Sequence, residues 1–251
     1  MGTQINIMGL EVDIIGTDTL VAKVKGYLES DVLNIILFAT TNLIDHTIED
    51  EELKNLVLEA DYILPGEETL LSLHHVDTLK IASMVVDYES LAYAFQNIDL
   101  KSTTMYLIAA NEKEATAYTN FIRDNYPDIQ VLGAFYDDLL QNQELVINEI
   151  NSITPDMLLF VIDTPLQERF IMENKSKLNA KLCIGLGRIN VEASMKQKQA
   201  KKVFKNKTLE YLYYFFIENK GIKKILDTRI FKRKVENYKN KRGGKTHGDK
   251  E

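Results

Sequence analysis

The stretch MLLFVIDTPLQERFI, residues 157–171, decides the fold. Its first six residues form an unbroken apolar run, the composition of a strand covered on both faces. Asp163 and Thr164 end that run, and a helical pattern follows from Pro165. The spacing predicts a threonine cap, a proline at the first helical position, and Gln167 and Glu168 in the first turn. Free N–H groups and the helix dipole gather at such a turn and favour an anion such as phosphate. The plainer alternative is a well-capped helix in which Glu168 only offsets the dipole. A strand that turns directly into a helix is half of a crossover, and crossovers join parallel strands.

Outward from this unit, the same alternation recurs in both directions. Apolar runs predict strands over residues 6–15, 34–40, 62–64, 104–109, 130–135, 157–162 and 181–185. Helical periodicity lies between them at 19–28, 50–60, 88–95, 112–125, 139–150 and 166–178. The expected fold class is therefore α/β, a mostly parallel Rossmann-like sheet with helices on both faces. Pro127 and Pro155 fall between a helix and the next strand, where a helix must stop. Pro65 is expected in the loop that follows a strand. Thr40-Thr41-Asn42 and Pro65-Gly66-Glu67-Glu68 are two further strand-to-helix switches. If the strands are parallel, all three switches share the carboxyl edge, where open α/β sheets bind ligands.

Charge divides the chain in two. The net charge is −7, yet residues 196–251 carry 18 Lys or Arg against 6 Asp or Glu, a net of +12. The preceding residues carry 12 against 31, a net of −19. Three segments are expected: an acidic α/β body over 1–195, a basic amphipathic helical appendage over 196–242, and a disordered tail over 243–251. In the appendage Leu209, Leu212, Tyr213, Phe216 and Ile217 repeat at helical spacing, and Ile222, Ile225, Leu226 and Ile230 repeat it after Gly221. Lys223, Lys224, Lys232, Arg233 and Lys234 are available for the polar face. An anionic membrane surface is the expected partner, with Tyr213, Phe216, Lys223, Lys224, Lys232 and Arg233 as its contacts. Packing of the aromatic residues against the body or another subunit is an equal alternative for Tyr213 and Phe216. The acidic body argues against nucleic acid lying across it.

Other features narrow the class. No apolar run approaches the ~18 residues needed to span a bilayer. The start of the chain lacks the pattern of a secretory signal, so a cytoplasmic location is expected. The one cysteine, Cys183, lies in an apolar run and is expected to be a small buried hydrophobe. His74-His75 have no spaced Cys or His partner, so no metal is expected. Gly185-x-Gly187 lacks the third glycine of a dinucleotide fingerprint.

A set of ordered blocks carries a resemblance. They are ATTN at 39–42, DEELKNLVLEADYILPG at 50–66, NYPDIQVLG at 125–133, INEINSITPDMLLFVIDTPLQERFI at 147–171, NKSKLNAKLCIGLG at 174–187 and LEYLYYFF at 209–216. In order and spacing the chain resembles the WecG/TagA/CpsF glycosyltransferases from about Ile7 to Arg233. The resemblance implies a nucleotide-sugar-binding body and an appendage docked on the inner face of the plasma membrane. It also implies transfer of a HexNAc, such as N-acetylmannosamine, from a UDP-sugar to a polyprenyl-diphosphate-linked acceptor in bacterial cell-surface polysaccharide assembly. No cofactor beyond that UDP-sugar donor is implied.

Matches to the family pattern are Thr40, Asn42, Asp87, Gln167 and Glu168, the expected substrate and nucleotide contacts. The departures are as informative. The resemblance puts a general-base aspartate in a Pro-Asp-Gly loop; here the sequence is Pro65-Gly66-Glu67, so Gly66 stands at that position. Glu67 and Glu68 are the carboxylates that could substitute. A family arginine is replaced at Ala82, a glycine-rich loop becomes Ala109-Ala110-Asn111-Glu112-Lys113, and the appendage arginine becomes Tyr214. A positioned base contributes about 10²–10⁴-fold, and one lost electrostatic donor can cost about 2.7–4 kcal/mol. The expectation is a catalytically degenerate centre in a protein that joins an active envelope-biosynthesis enzyme as a homo- or hetero-oligomer. The alternative is an active, membrane-associated transferase.

Overall fold

In the computed structural model, which describes residues 3–67, 70–71, 89–187 and 230–238, six apolar runs lie side by side in one parallel sheet. The strands are β3 (Asn34–Ala39), β4 (Tyr62–Pro65), β5 (Thr103–Ala109), β6 (Ile129–Phe135), β7 (Met157–Val161) and β8 (Leu182–Gly185), in the order β4-β3-β8-β7-β5-β6. Every pairing is parallel. The three central strands β3, β8 and β7 are buried along their whole length, as their continuous apolar runs require. Phe160 packs on Phe170 from the helix that follows β7, with ring centroids 5.6 Å apart. Cys183 is fully buried, and burial pushes its thiol far above the ordinary range, as an inert hydrophobe requires.

The helices are α1 (Thr17–Leu28), α2 (Thr41–Glu49), α3 (Glu51–Val57), α4 (Glu89–Asn97), α5 (Glu112–Asn125), α6 (Gln143–Ile153) and α7 (Leu166–Asn174). The β3–β4 and β7–β8 links step across the sheet in one direction, the β5–β6 link in the other. Right-handed crossovers therefore place α2, α3 and α7 on one face and α5 on the opposite one. In keeping with this, α3 packs on α7 while α5 covers β5 and β6.

The structure corrects four expectations. The run at 6–15 is not one strand but the turn and second arm of an antiparallel hairpin, β1 (Thr3–Ile7) and β2 (Leu10–Ile14). Met8 and Gly9, at φ of 54° and 98°, make a two-residue turn in the left-handed region that matches hairpin twist. The hairpin guards the outer edge of the sheet: Asp13 Oδ2 accepts the Ile63 N–H of edge strand β4 at 2.9 Å. Second, the helix that the Thr40 switch opens, α2, is a full element that runs to Glu49 and precedes α3. Asp50 ends one and caps the other, its Oδ1 accepting from Leu53 N at 2.9 Å, so the helix expected at 50–60 is shorter. Third, Pro65 is the last residue of β4, paired with Ala39, rather than part of the loop. Fourth, α6 begins at Gln143 instead of residue 139, because Asp138 Oδ1 captures the Leu140 and Gln141 amides in a turn.

The amino edge of the sheet is tied by carboxylates. Asp61 Oδ2 accepts the Ile35 N–H at 2.7 Å. Asp156 Oδ2 takes both the amide and the hydroxyl of Thr104, at 2.9 and 2.8 Å, and its Oδ1 takes Lys181 Nζ at 2.7 Å. Burial pushes Asp156 up, but the bonds from Lys181 and Thr104 outweigh it and hold the carboxyl below its ordinary value.

Two compact units divide the chain, Met1–Ile189 and Asn190–Glu251. Within the second, residues 230–238 are helical, with Phe231 and Val235 buried one turn apart and Lys232, Arg233 and Lys234 exposed. The expected membrane contacts Tyr213, Phe216, Lys223 and Lys224 lie outside the described residues, as do His74 and His75.

Candidate functional site

Because all six strands are parallel, the loops after β3, β4, β7 and β8 leave the same edge of the sheet side by side. The three strand-to-helix switches meet there. After β3, Thr40 is the cap of α2: its backbone is extended and its Oγ1 accepts the Leu43 N–H at 3.1 Å. Asn42, in the first turn of α2, is exposed. After β4, Gly66 is buried and donates its N–H to Ala39 O at 2.7 Å, which draws the β4 loop against the end of β3. Glu67 is half-buried and its Oε2 accepts the Thr41 N–H at 3.3 Å, so this carboxylate lies over the start of α2. Glu68 and Asp87 lie outside the described residues.

The loop after β7 departs from the expected capping. Thr164–Pro165 is a cis peptide, Pro165 takes the cap position, and no side chain caps α7. The Thr164 hydroxyl turns inward instead and donates to Glu168 Oε1 at 3.1 Å. Gln167 Nε2 donates to the same oxygen at 3.0 Å, while Gln167 Oε1 accepts the Gly187 N–H from the loop after β8 at 2.9 Å. Gln167 is 0% and Glu168 1% exposed, so both lie beneath the edge rather than on it. Glu168 Oε2 is buried with no hydrogen-bond partner among the described residues. Burial raises the Glu168 pKa, against the opposing pull of Thr164 and Gln167.

The glycines of Gly185-x-Gly187 make this arrangement fit. A Cβ on Gly185 would stand 2.7 Å from Leu37 Cδ2 and 2.8 Å from Gln167 Nε2. Gly187 has φ of +73°, a conformation open to glycine and strained for other residues. A Cβ there would lie 4.0 Å from Thr40 Cγ2, so the β8 loop runs beside the α2 cap. Sequence reasoning weighed these glycines as a dinucleotide fingerprint and as part of a family block, and missed their service to Gln167; the signal was a glycine at the end of a buried strand. Arg169 was also missed. It reaches from α7 to the α3 cap Asp50 and to Glu173 at 3.3 Å, which locks the two helices together. Asp50 is lowered in pKa by the Leu53 amide first and by Arg169 as well.

After β5, Asn111 caps α5 by accepting from Glu114 N at 3.0 Å and donates to Glu114 Oε1 at 3.0 Å. The described loops and first helical turns of this edge carry Glu67, Glu112, Glu114, Asp137, Asp138, Glu144 and Asp163 against one cation, Lys113, with Glu168 buried beneath them. A diphosphate would need its neutralising charge from elsewhere in the chain or from a partner. Among the described residues no cluster of three or more His, Cys, Asp or Glu is placed to hold a metal ion. No described helix is long and apolar enough to cross a membrane.

Comparison with known proteins identifies the family. The sequence pattern of the glycosyl transferase WecG/TagA/CpsF family matches residues 5–243. Proteins named N-acetylglucosaminyldiphosphoundecaprenol N-acetyl-beta-D-mannosaminyltransferase are similar over nearly their whole length. Those of Staphylococcus aureus strains MRSA252 and NCTC 8325 / PS 47 are each 22% identical over 242 residues, covering 95% of this chain and 94% of the relative. The protein of strain MW2 is 21% identical over the same span. The match spans the sheet, the three switches and the basic C-terminal segment, and the chain belongs to the WecG/TagA/CpsF glycosyltransferase family.

Proposed function

We propose that this protein serves bacterial cell-surface polysaccharide assembly as a glycosyltransferase-family member with a degraded catalytic centre, acting as the partner of an active transferase. One observation carries this reading: at the position where the resemblance puts a catalytic aspartate, Gly66 is buried and its amide is bonded to Ala39 O. The adjacent Glu67 carboxylate is already engaged as the acceptor of the Thr41 N–H. The scarcity of cations on the described edge points the same way, since a departing diphosphate needs them. The protein therefore binds UDP weakly, with Thr40, Asn42 and Asp87 as contacts. It acts on the inner face of the plasma membrane, held by the basic appendage. Calorimetry with UDP, and co-purification of the full chain from its host, test this. Weak binding and recovery of an envelope-biosynthesis enzyme support it; tight UDP binding by a partnerless monomer contradicts it.

A second reading is favoured by the placement of Glu67 at the carboxyl edge and by the names of the relatives. In it the protein is an active transferase that moves a HexNAc from a UDP-sugar to a polyprenyl-diphosphate-linked acceptor, with Glu67 or Glu68 as base. Turnover that disappears in Glu67→Ala or Glu68→Ala would establish it. The membrane role has its own test. Each basic residue near an anionic surface contributes about 1 kcal/mol, so Lys232→Glu with Arg233→Glu should release much of the full chain from phosphatidylglycerol vesicles. Unchanged sedimentation of the double variant would remove these residues from the membrane contact.

A further inference from the structure

Four residues, three from the turn into α7 and its first turn and one from the loop after β8, form one hydrogen-bonded chain. Thr164 Oγ1 and Gln167 Nε2 both donate to Glu168 Oε1, at 3.1 and 3.0 Å, and Gly187 N donates to Gln167 Oε1 at 2.9 Å. Gly187 in turn lies beside Thr40, the cap of α2. We propose that Glu168 is a positioning residue that orients the Gln167 amide toward the Gly187 N–H and so holds the β8 loop against the α2 cap. This rests on the reading of the carboxyl edge as the nucleotide-sugar site.

The argument is one of donors and acceptors. A glutamine amide has two chemically different ends, and only one orientation offers its oxygen to Gly187. Gln167 is 0% exposed, so water does not choose between them. Glu168 Oε1 chooses: it accepts, so Nε2 must face it and Oε1 must face Gly187. The Thr164 hydroxyl, bonded to the same oxygen, stops the carboxyl from turning away. Gly185 completes the device by leaving the volume that Gln167 fills, with Nε2 only 2.8 Å from where a Cβ would stand. Gln167 is thus a strut whose direction is set by its neighbour, and the ligand edge takes its shape from that strut.

The test is residue-resolved hydrogen exchange by NMR on the full chain without nucleotide. In Glu168→Ala the Gly187 amide should exchange at least about tenfold faster, while amides of the β3–β8 ladder keep their protection. Glu168→Gln should restore slow exchange at Gly187, because its side-chain oxygen accepts from Gln167 as the carboxyl does. Faster exchange in Glu168→Gln equal to that in Glu168→Ala would overturn the proposal, as would unchanged protection of Gly187 in Glu168→Ala. Should Glu168→Ala fail to fold, Thr164→Ala at a half-buried site tests the same chain. About threefold faster exchange at Gly187 is expected there, and no change would overturn it. UDP at millimolar concentration, added afterwards, should slow the Leu43 amide in wild type and Glu168→Gln but not in Glu168→Ala. If UDP slows nothing in wild type, the nucleotide-site reading fails, while the exchange at Gly187 still decides the role of Glu168.

Discussion

The two edges of the sheet treat their carboxyl groups in opposite ways: those of the amino edge are exposed or half-buried, and Glu168 at the carboxyl edge is buried. At the amino edge Asp61 and Asp156 spend their oxygens on backbone amides, a hydroxyl and Lys181. At the carboxyl edge Glu168 is more deeply buried and, among the described residues, has no cation and keeps one oxygen without a partner. The amino-edge carboxyl Asp156 is held below its ordinary pKa, whereas Glu168 is pushed above it. An unsatisfied buried polar atom costs about 1–3 kcal/mol, so the carboxyl edge carries a burden that the amino edge does not. The difference separates a region that ties strands together from one that lies beneath the candidate site.

The comparison can be broken by substitution. The largest effect is expected at Gly185→Val, which drives a side chain into Leu37 and Gln167. Overpacking of this kind should destabilise the protein by about 3 kcal/mol and also expose the Gly187 amide to exchange. A mild loss of stability with Gly187 still protected would mean that the strut is not confined as described. Next, Asp156→Ala strands the Thr104 amide and hydroxyl and should cost about 2 kcal/mol in denaturant unfolding, with UDP affinity unchanged. A change in UDP affinity would show that the amino edge also shapes the site.

The smallest effects sharpen the contrast through pH. For Glu168 the folded pKa lies above the unfolded one, so its stabilising share is present below the ordinary glutamate value. That share is lost as pH rises through the elevated value. For Asp156 the folded pKa is depressed. Its share is present above the ordinary aspartate value and is lost as pH falls through the lowered one. Thermal melts should therefore show Glu168→Gln gaining on wild type as pH rises, and Asp156→Asn losing least against wild type in acid. Parallel curves for both pairs would erase the electrostatic difference between the edges.

Much of the fold was legible because buried parallel strands are written as uninterrupted apolar runs. The expected runs at 34–40, 157–162 and 181–185 correspond closely to β3, β7 and β8. Where the rule failed, a different local chemistry had won. The hairpin alternates buried Leu10, Val12 and Ile14 with half-buried Glu11 and Asp13, a pattern of period two around Met8-Gly9 that was read as one continuous strand. The start of α2 was legible at the Thr40 switch but its extent was not, because Asp50, a good cap, marks only where the second helix begins. The site was legible as an edge, since all three switches lie on it. Its depth was not legible. Gln167 and Glu168 are polar, and no pattern of polar residues says that both amide ends of Gln167 are consumed inside the protein.

The central claim is that this family member retains the scaffold of a transferase site without a working proton acceptor. Its most direct test is a turnover assay with purified full-length protein, UDP-N-acetylmannosamine and a polyprenyl-diphosphate-linked N-acetylglucosamine acceptor in membrane-mimetic vesicles. The account predicts no product above that of a denatured control. Multiple turnover by the wild-type protein, abolished in Glu67→Ala, would contradict it.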